Sequence, residues 1–466
     1  MRIKTLFLSV LLTLSAVLLS AQEEKINLRL CIFGDIQPQN MKTAMKEGMP
    51  YWYVQKLYKF ASTLGVDAYL ITGDVANYNN PAAYDLFRKL FDDSVKDVKN
   101  PPHWLPVMGN HDFWGTFWDK KSHDGLGKLP ETRAARTEIF RKHLKLDSVN
   151  HHVVINGYDV IGFSIAGGMF IQLPQVKEVE AMIQKAVARD ANKPIILFAH
   201  NHTGHTVRES GSNHNFYKML SKYPQVIYFS GHTHIPLEDE MAIHQKDFTS
   251  VGTSALLNIE PFAQTKVLPY GEKHLGKNML YVTISDKKVV IHRYQLRDCT
   301  EILDNGKPWT LQLPLTKETF AYTPEKRQKI APVFPENAVL EAKPVFDKKK
   351  AFSGVAISGT AAKHPNIVRC YEIEIYEQSN GQWIYRDPVS RGKTVKNKLL
   401  LSSDFYKGKN FQKDTFSGTI PCKDKRFMSF PFEAGKTYRI DLRAQDCFGT
   451  PSARTLSTTI SIPADR

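Results

Sequence analysis

At 466 residues the chain is longer than one hydrophobic core usually serves, so two domains are expected. With 42% hydrophobic and 23% charged residues it has the balance of ordinary globular protein, which excludes a disordered or low-complexity chain. A net charge of +15 suits an anionic substrate or surface, while the lack of zinc-finger spacing and of any Arg-rich tract argues against a stable nucleic-acid complex.

The chain begins Met1-Arg2-Ile3-Lys4, runs apolar from Leu6 to Leu19, and turns polar after Leu19-Ser20-Ala21. A basic start, an apolar middle and small residues before a polar run form the pattern of a cleaved secretory signal, here residues 1–21. The apolar stretch is short for a bilayer span, so no transmembrane segment is expected in the mature chain. A secreted, periplasmic or extracellular-surface location follows. The five cysteines, Cys31, Cys299, Cys370, Cys422 and Cys447, are odd in number and sparse, which excludes a disulfide scaffold. Cys31 reads as a buried thiol, and one disulfide among Cys370, Cys422 and Cys447 stays open.

Leu28–Phe33 reads as a first strand, and residues 45–64 carry apolar side chains at helical intervals. A strand follows at 66–72, then a helix at 81–95, with Pro81 suited to its first turn and Tyr84, Phe87, Leu90 and Phe91 as its buried stripe. The next strand is 105–108. This alternation predicts an α/β domain with crossover connections. The aromatic run Phe113-Trp114-Gly115-Thr116-Phe117-Trp118 and its polar tail are either a substrate-facing loop or cover for the domain edge, and 131–144 is helical. Asn156-Gly157 between two apolar runs predicts a hairpin over 153–165. A helix at 176–188, a strand at 194–199, a short helix at 213–220 and a strand at 226–230 come next. A second hairpin, 279–284 with 289–294, closes a first domain spanning 22–310. Prolines among charged residues mark 311–344 as a linker or a wrapped extension. From 345 to 466 the pattern is all-β, with strands expected at 354–358, 367–376, 383–385, 398–401, 438–444 and 456–462. It predicts a β-sandwich, to which no chemistry is assigned.

Five apolar runs end alike, in Gly34-Asp35, Gly73-Asp74, Gly109-Asn110-His111-Asp112, Ala199-His200 and Gly231-His232-Thr233-His234. On an open sheet the C-terminal strand ends are where such residues meet. Asp35, Asp74, Asn110, His200, His232 and His234 offer oxygen and nitrogen donors and no thiolate, a set that favours a hydrolytic over a structural metal site. There are enough donors for two divalent ions if one carboxylate bridges, and such a pair can activate water and neutralise a phosphoryl group. Glycines 34, 73, 109 and 231 are expected to permit tight turns off the strands.

With these motifs in this order, residues 27–300 resemble the calcineurin-like metallophosphoesterases. The resemblance implies a four-layer αββα sandwich, here followed by the C-terminal all-β sandwich. It implies that two divalent ions (Mn, Fe, Zn or similar) are bound, the first by Asp35 and His234, the second by Asn110, His200 and His232, with Asp74 bridging. His111 would contact the phosphate and assist the leaving oxygen, oriented by Asp112, while a metal-bridging hydroxide attacks in line. The family's first motif is Asp-x-His, whereas this chain has Asp35-Ile36-Gln37, and a glutamine carbonyl is a weaker ligand than imidazole. Either Gln37 ligates, or a water replaces it, or the first site fills weakly. Asn110, His202 and His205 are candidates for substrate contact, with Arg208 and His214 behind them. The tail Tyr438 to Ser452 resembles the end of a fibronectin type III-like domain.

The function implied is that of a secreted metal-dependent phosphoester hydrolase for small or nucleotide-like phosphomonoesters or phosphodiesters. The alternative is an exported binding or surface protein with a weakened or vestigial metal site, suggested by Gln37 and the appended basic sandwich.

Overall fold

The structure, a computed structural model, describes residues 24–114, 130–165, 170–207, 213–259, 276–304, 306–327, 329–390, 393–396, 398–407, 414–424 and 428–464. The expected signal segment and residues 115–129 lie outside these, as does Arg208. No helix among the described residues is long and apolar enough to cross a membrane.

The first part of the chain runs β1 (Leu28–Phe33), α1 (Pro50–Leu64), β2 (Ala68–Ile71), α2 (Pro81–Val95), β3 (His103–Pro106), α3 (Asn110–Phe113), α4 (Pro130–His143), β4 (His151–Ile155) and β5 (Tyr158–Gly162). It continues with α5 (Leu173–Arg189), β6 (Ile195–Ala199), α6 (His214–Leu220), β7 (Val226–Ser230), β8 (Ile243–Gln245), β9 (Thr249–Gly252), β10 (Asn278–Ile284), β11 (Lys288–Gln295), β12 (Thr300–Ile302) and β13 (Trp309–Gln312). Helix α1 starts five residues later than its apolar periodicity suggests. Pro50 takes the first helical position, and the residue before a proline is driven out of the helical region, with Met49 at φ −88° and ψ 160°. The Asn156-Gly157 hairpin forms as expected, both residues being left-handed at φ 50° and 82°.

Two mixed sheets result. In the first, strands lie in the order β12-β11-β10-β1-β2-β3, with β13 also paired to β11. Strands β1, β2 and β3 are parallel neighbours there, and β10 joins β1 antiparallel. The second has the order β4-β5-β6-β7-β9-β8, with β5, β6, β7 and β9 parallel. One core lies between the sheets, where Leu30, Ile32, Leu70 and Val107 meet Ile196, Phe198, Ile227 and Phe229. On the outer face of the first sheet Phe33, Tyr69 and Trp104 pack against Tyr58, Tyr84, Phe87 and Phe91 of α1 and α2. On the outer face of the second, Leu197 and Tyr228 pack against α5 and α6 through Ile183 and Phe216. The layers are therefore helix, sheet, sheet, helix. Strands β8, β9, β12 and β13 are three or four residues long, too short to show a period in the sequence.

The proline-rich stretch after residue 311 starts within this domain. Leu313, Leu315, Phe320 and Tyr322 all pack into the core between the sheets. Beyond it is a β-rich region. A three-stranded sheet (Leu340–Phe346, Phe352–Thr360, Thr415–Pro421) and a five-stranded one centred on Cys370–Ser379 and Thr437–Gln445 share one core. Ile259 meets Ile367, Phe405 and Cys447 where the two regions touch. All five cysteines are free thiols, so no disulfide forms among Cys370, Cys422 and Cys447. Burial raises the Cys31 thiol far above its ordinary range, as its strand position suggested.

Candidate metal centre

Parallel neighbours β1, β2 and β3 bring Asp35, Asp74 and Asn110 to one end of the first sheet, and β6 and β7 bring His200, His232 and His234 to the facing end of the second. Cross-sheet hydrogen bonds fix the two ends together. His200 Nδ1 lies 2.9 Å from the Thr72 carbonyl, Thr72 Oγ1 is 2.8 Å from Thr253 Oγ1, and the His232 amide donates to the Asp35 carboxylate at 3.1 Å.

The side-chain donors converge. Asn110 Oδ1 is 2.8 Å from His200 Nε2 and 2.9 Å from His232 Nδ1, and those nitrogens are 3.2 Å apart. Asp74 Oδ2 is 3.3 Å from His200 Nε2. Two ligands held at about 2.1 Å from one ion and at right angles to each other lie about 3.0 Å apart, so this cluster has the spacing of donors sharing one cation. Beside it, Asp35 Oδ1 and His234 Nε2 are 3.0 Å apart, and Asp35, Asp74 and His200 each place a donor atom within 4.8 Å of the others. The Gln37 amide nitrogen donates to Asp74 Oδ2. Asp74 thus stands between the two groups.

The electrostatics ask for positive charge. Burial alone would raise the Asp74 carboxyl, but the His200 imidazole and then His111 hold it well below the usual carboxylate range. Burial alone would lower His200, but Asp74 and Asp35 outweigh it and carry it to about 9. The His200 proton therefore sits where a cation belongs. His232 is driven well below its ordinary value by burial and then by His200, so it keeps a lone pair for a ligand bond. His200 and His234 each direct Nδ1 at a carbonyl, of Thr72 and of Asn258 (2.8 Å), which fixes the ring and leaves Nε2 for the centre. The donor set fits two divalent ions.

Several of these residues also hold strained backbone. Asp35 (φ 50°), Gln37 (38°), Asp74 (53°), His232 (66°) and His234 (49°) are all left-handed, a region costly for non-glycine residues and typical of functional sites. The glycines do a different job from the one expected. Only Gly73 has a positive φ, at 92°, among the four before the ligands. A Cβ on Gly109 would overlap the Asp74 carboxylate, and one on Gly231 would overlap that of Asp35. Those glycines give the carboxylates room.

Two further expectations need correction. Asp112 does not orient His111. Its carboxylate accepts the backbone amides of Val75 (3.2 Å), Ala76 (3.0 Å) and Gly109 (2.9 Å) and the Tyr84 hydroxyl (3.1 Å), so its acceptor capacity is spent on the turns that carry Asp74 and Asn110. Burial, with Asp74 adding, raises the Asp112 carboxyl to about 7. The group on His111 Nδ1 is Asn77, whose Oδ1 lies 2.8 Å away. The sequence could have flagged it, since Asn77 is three residues past Asp74 in the same turn. Burial, more than any charge, lowers His111. Second, His202 and His205 part company. His202 is buried with its ring 6.1 Å from that of His232, whereas His205 is exposed and lines a separate cavity with Met241, His244 and Arg327.

The sequence of this region, residues 28–236, matches the family model for calcineurin-like phosphoesterases. Residues 28–236 are a calcineurin-like phosphoesterase domain. Its two sheets, with the donor side chains at their strand ends, have the metallophosphoesterase αββα fold. No curated protein matches it. Among solved structures, similar ones include the purple acid phosphatase PPD1 from yellow lupin (Lupinus luteus) seeds, at 12% identity over 62% of this chain and a TM-score of 0.42. The match spans only 54% of the lupin chain. A dimetal phosphatase from Danio rerio matches at 10% identity over 63% of this chain and all of its own, with a TM-score of 0.38. GAP50, the anchor in the inner membrane complex of Plasmodium, matches at 14% identity over 63% of this chain and 90% of its own, with a TM-score of 0.35. Nothing about substrate rests on these distant likenesses. Gln37, expected where the family carries an imidazole, is buried at the centre. Its amide nitrogen faces Asp74, and half a turn about the Cγ–Cδ bond puts the carbonyl oxygen in the nitrogen's place.

Proposed function

We propose that the protein hydrolyses small phosphoesters outside the cytoplasm. Asp35, Gln37, Asp74 and His234 would hold one divalent ion, and Asp74, Asn110, His200 and His232 the other. Two ions there would supply Lewis-acid activation of water and neutralise charge on the phosphoryl group. The observation that carries this reading is the clustering of Asn110 Oδ1, His200 Nε2, His232 Nδ1 and Asp74 Oδ2 within hydrogen-bonding distances of one another at facing strand ends.

The chain's own groups do the remaining work. The Asn77 side-chain carbonyl accepts a hydrogen bond from His111 Nδ1–H, leaving Nε2 as the atom His111 would turn to a leaving oxygen. The Trp114 ring, tilted 40° to the His111 ring with centroids 3.9 Å apart, packs against the imidazole. Burial of Asp35, Asp74, Asn110 and His200 keeps bulk water off their donor atoms. Beside Asn77 opens a groove of about 290 Å³ lined by Pro38, Gln39, Met41, Tyr78, Asn79 and Asn80. Among the described residues its lining is uncharged, which suits a neutral polar leaving group such as a sugar or nucleoside. The basic, apolar, small-residue start of the chain supports export.

Phosphate release from a panel of sugar phosphates, nucleoside monophosphates and bis-substituted phosphates tests this. Turnover of sugar or nucleoside esters is expected. Turnover of none of them by metal-loaded protein would overturn it.

A further inference from the structure

The surroundings of His205 lead away from the metal centre. Behind its loop is a cavity of about 270 Å³ walled by four separate chain segments. His205 and Thr206 come from the loop after β6, Met241 to His244 from the start of β8, Tyr322 to Lys329 from the stretch after β13, and Phe448 from the C-terminal β-rich region. Among the described residues no carboxylate lines it, while Arg327, Lys329, His205 and His244 all do. Tyr322, Phe448, Met241, Ile243 and Pro324 make the rest of the wall apolar or aromatic. The Arg327 guanidinium stands 5.4 Å from the Tyr322 ring and 5.1 Å from the Phe448 ring.

We propose that this cavity binds a small organic anion, one anionic head on a flat apolar body. A buried cation is costly unless it is paired, and Arg327 is only partly paired. Its side chain is 7% exposed, yet among the described residues its ion-pair partner, Glu240 Oε1, lies 3.6 Å from Nη2, which has no hydrogen-bond partner there. An anionic head completes that pairing, and the two rings give a flat body a surface to lie on. The positive character of the neighbourhood also shows in His244, which burial, then Lys246 and Arg327, push down to about 4. The walls are already fixed in place. Tyr322 takes the Thr310 amide on its hydroxyl (2.8 Å) and gives its own amide to Gln245 (2.9 Å), Arg327 Nη1 donates to the Ile243 carbonyl (3.2 Å), and the Phe448 amide is held by Asp446 (2.9 Å). A preformed site loses little freedom on binding. Because one wall is Phe448, the ligand bridges the two regions of the chain.

Calorimetric titration of the full chain with benzoate, phenylphosphonate and indole-3-acetate tests the proposal, with inorganic phosphate as head without body and benzyl alcohol as body without head. At least one of the three aromatic anions should bind saturably, one per chain, and at least tenfold more tightly than either control. Arg327→Met should weaken that binding tenfold or more, the rim substitution Lys329→Glu should weaken it severalfold in a chain whose fold it leaves alone, and Asp74→Asn should leave it unchanged. Three results each overturn the proposal: no saturable binding of any aromatic anion, binding that survives both Arg327→Met and Lys329→Glu, or binding lost in Asp74→Asn, which places the ligand at the metal centre.

Discussion

Asn77 Oδ1 lies 2.8 Å from His111 Nδ1, so a neutral amide, not a carboxylate, is the partner of that imidazole nitrogen. Asn77→Ala should lower kcat by roughly 10- to 100-fold, the usual cost of losing an orienting partner, with metal content unchanged. Asn77→Asp should restore much of the rate. A carboxylate there favours imidazolium, so it should also raise the His111 pKa and move the alkaline limb of the pH profile upward. Wild-type rates in Asn77→Ala would remove Asn77 from the mechanism.

Asp112 is read as a structural acceptor. Replacing it with alanine strips three backbone amides and the Tyr84 hydroxyl of their partner in a fully buried place, at a cost of about 3 kcal/mol or more. Urea denaturation of metal-free protein should show that loss. The neutral Asp112→Asn, which keeps an acceptor oxygen, should lose less. An Asp112→Asn variant of unchanged stability whose kcat falls a hundredfold would return Asp112 to a direct chemical role.

Gln37 predicts unequal sites. As the weaker donor, it should leave the Asp35/His234 site filled only at higher metal concentration than the Asn110/His200/His232 site. Gln37→His should tighten that weaker site by about tenfold or more. Competitive chelator titration with Mn²⁺, followed by electron paramagnetic resonance of the coupled pair, reads this without reference to activity. Equal, tight filling of both sites in the unsubstituted protein would contradict it.

Lys277 gives a pH signature outside the centre. Its ammonium is buried against the Leu256 and Leu257 carbonyls, at 2.5 and 2.7 Å, and burial lowers its pKa from 10.5 to about 7. The unfolded chain therefore keeps this proton up to about pH 10.5 and the folded chain only to about 7. Between those values the unfolded state binds more protons, so this group makes stability rise with pH across the window. The stability difference between the unsubstituted protein and Lys277→Met should grow from pH 7 to pH 10. A difference that is flat or falls with pH would show that Lys277 stays charged in the fold.

Much of the catalytic half was legible because its strands are fully buried and end in short polar motifs. Runs such as Ile196-Leu197-Phe198-Ala199 before His200 leave little choice of structure. The hairpin at Asn156-Gly157 was legible for a local reason, the two left-handed positions its turn requires. What could not be read were relations across space. Asp112 adjoins His111 in sequence, yet the turn of α3 points its carboxylate at the amides of Val75 and Ala76. Asn77, 34 residues earlier, reaches the ring instead. His202 and His205 look equivalent on paper, and only the loop's path sends one to His232 and the other to the Arg327 cavity. The glycines before the ligands suggested backbone freedom, while the left-handed angles fell on the ligands themselves, and Gly109 and Gly231 leave room for the Asp74 and Asp35 carboxylates that no single-strand pattern reveals.

The central claim is that Asp74 joins two metal sites into one hydrolytic centre. Metal analysis and phosphoester hydrolysis should be measured together on the unsubstituted protein and on Asp74→Asn, both loaded with Mn²⁺ and passed through a desalting column. The unsubstituted chain should retain up to two ions and release phosphate or a phosphomonoester. Asp74→Asn should retain at most one and lose activity by roughly a thousandfold or more, given the several kcal/mol such ions supply. Two ions retained and undiminished turnover in Asp74→Asn would contradict the account.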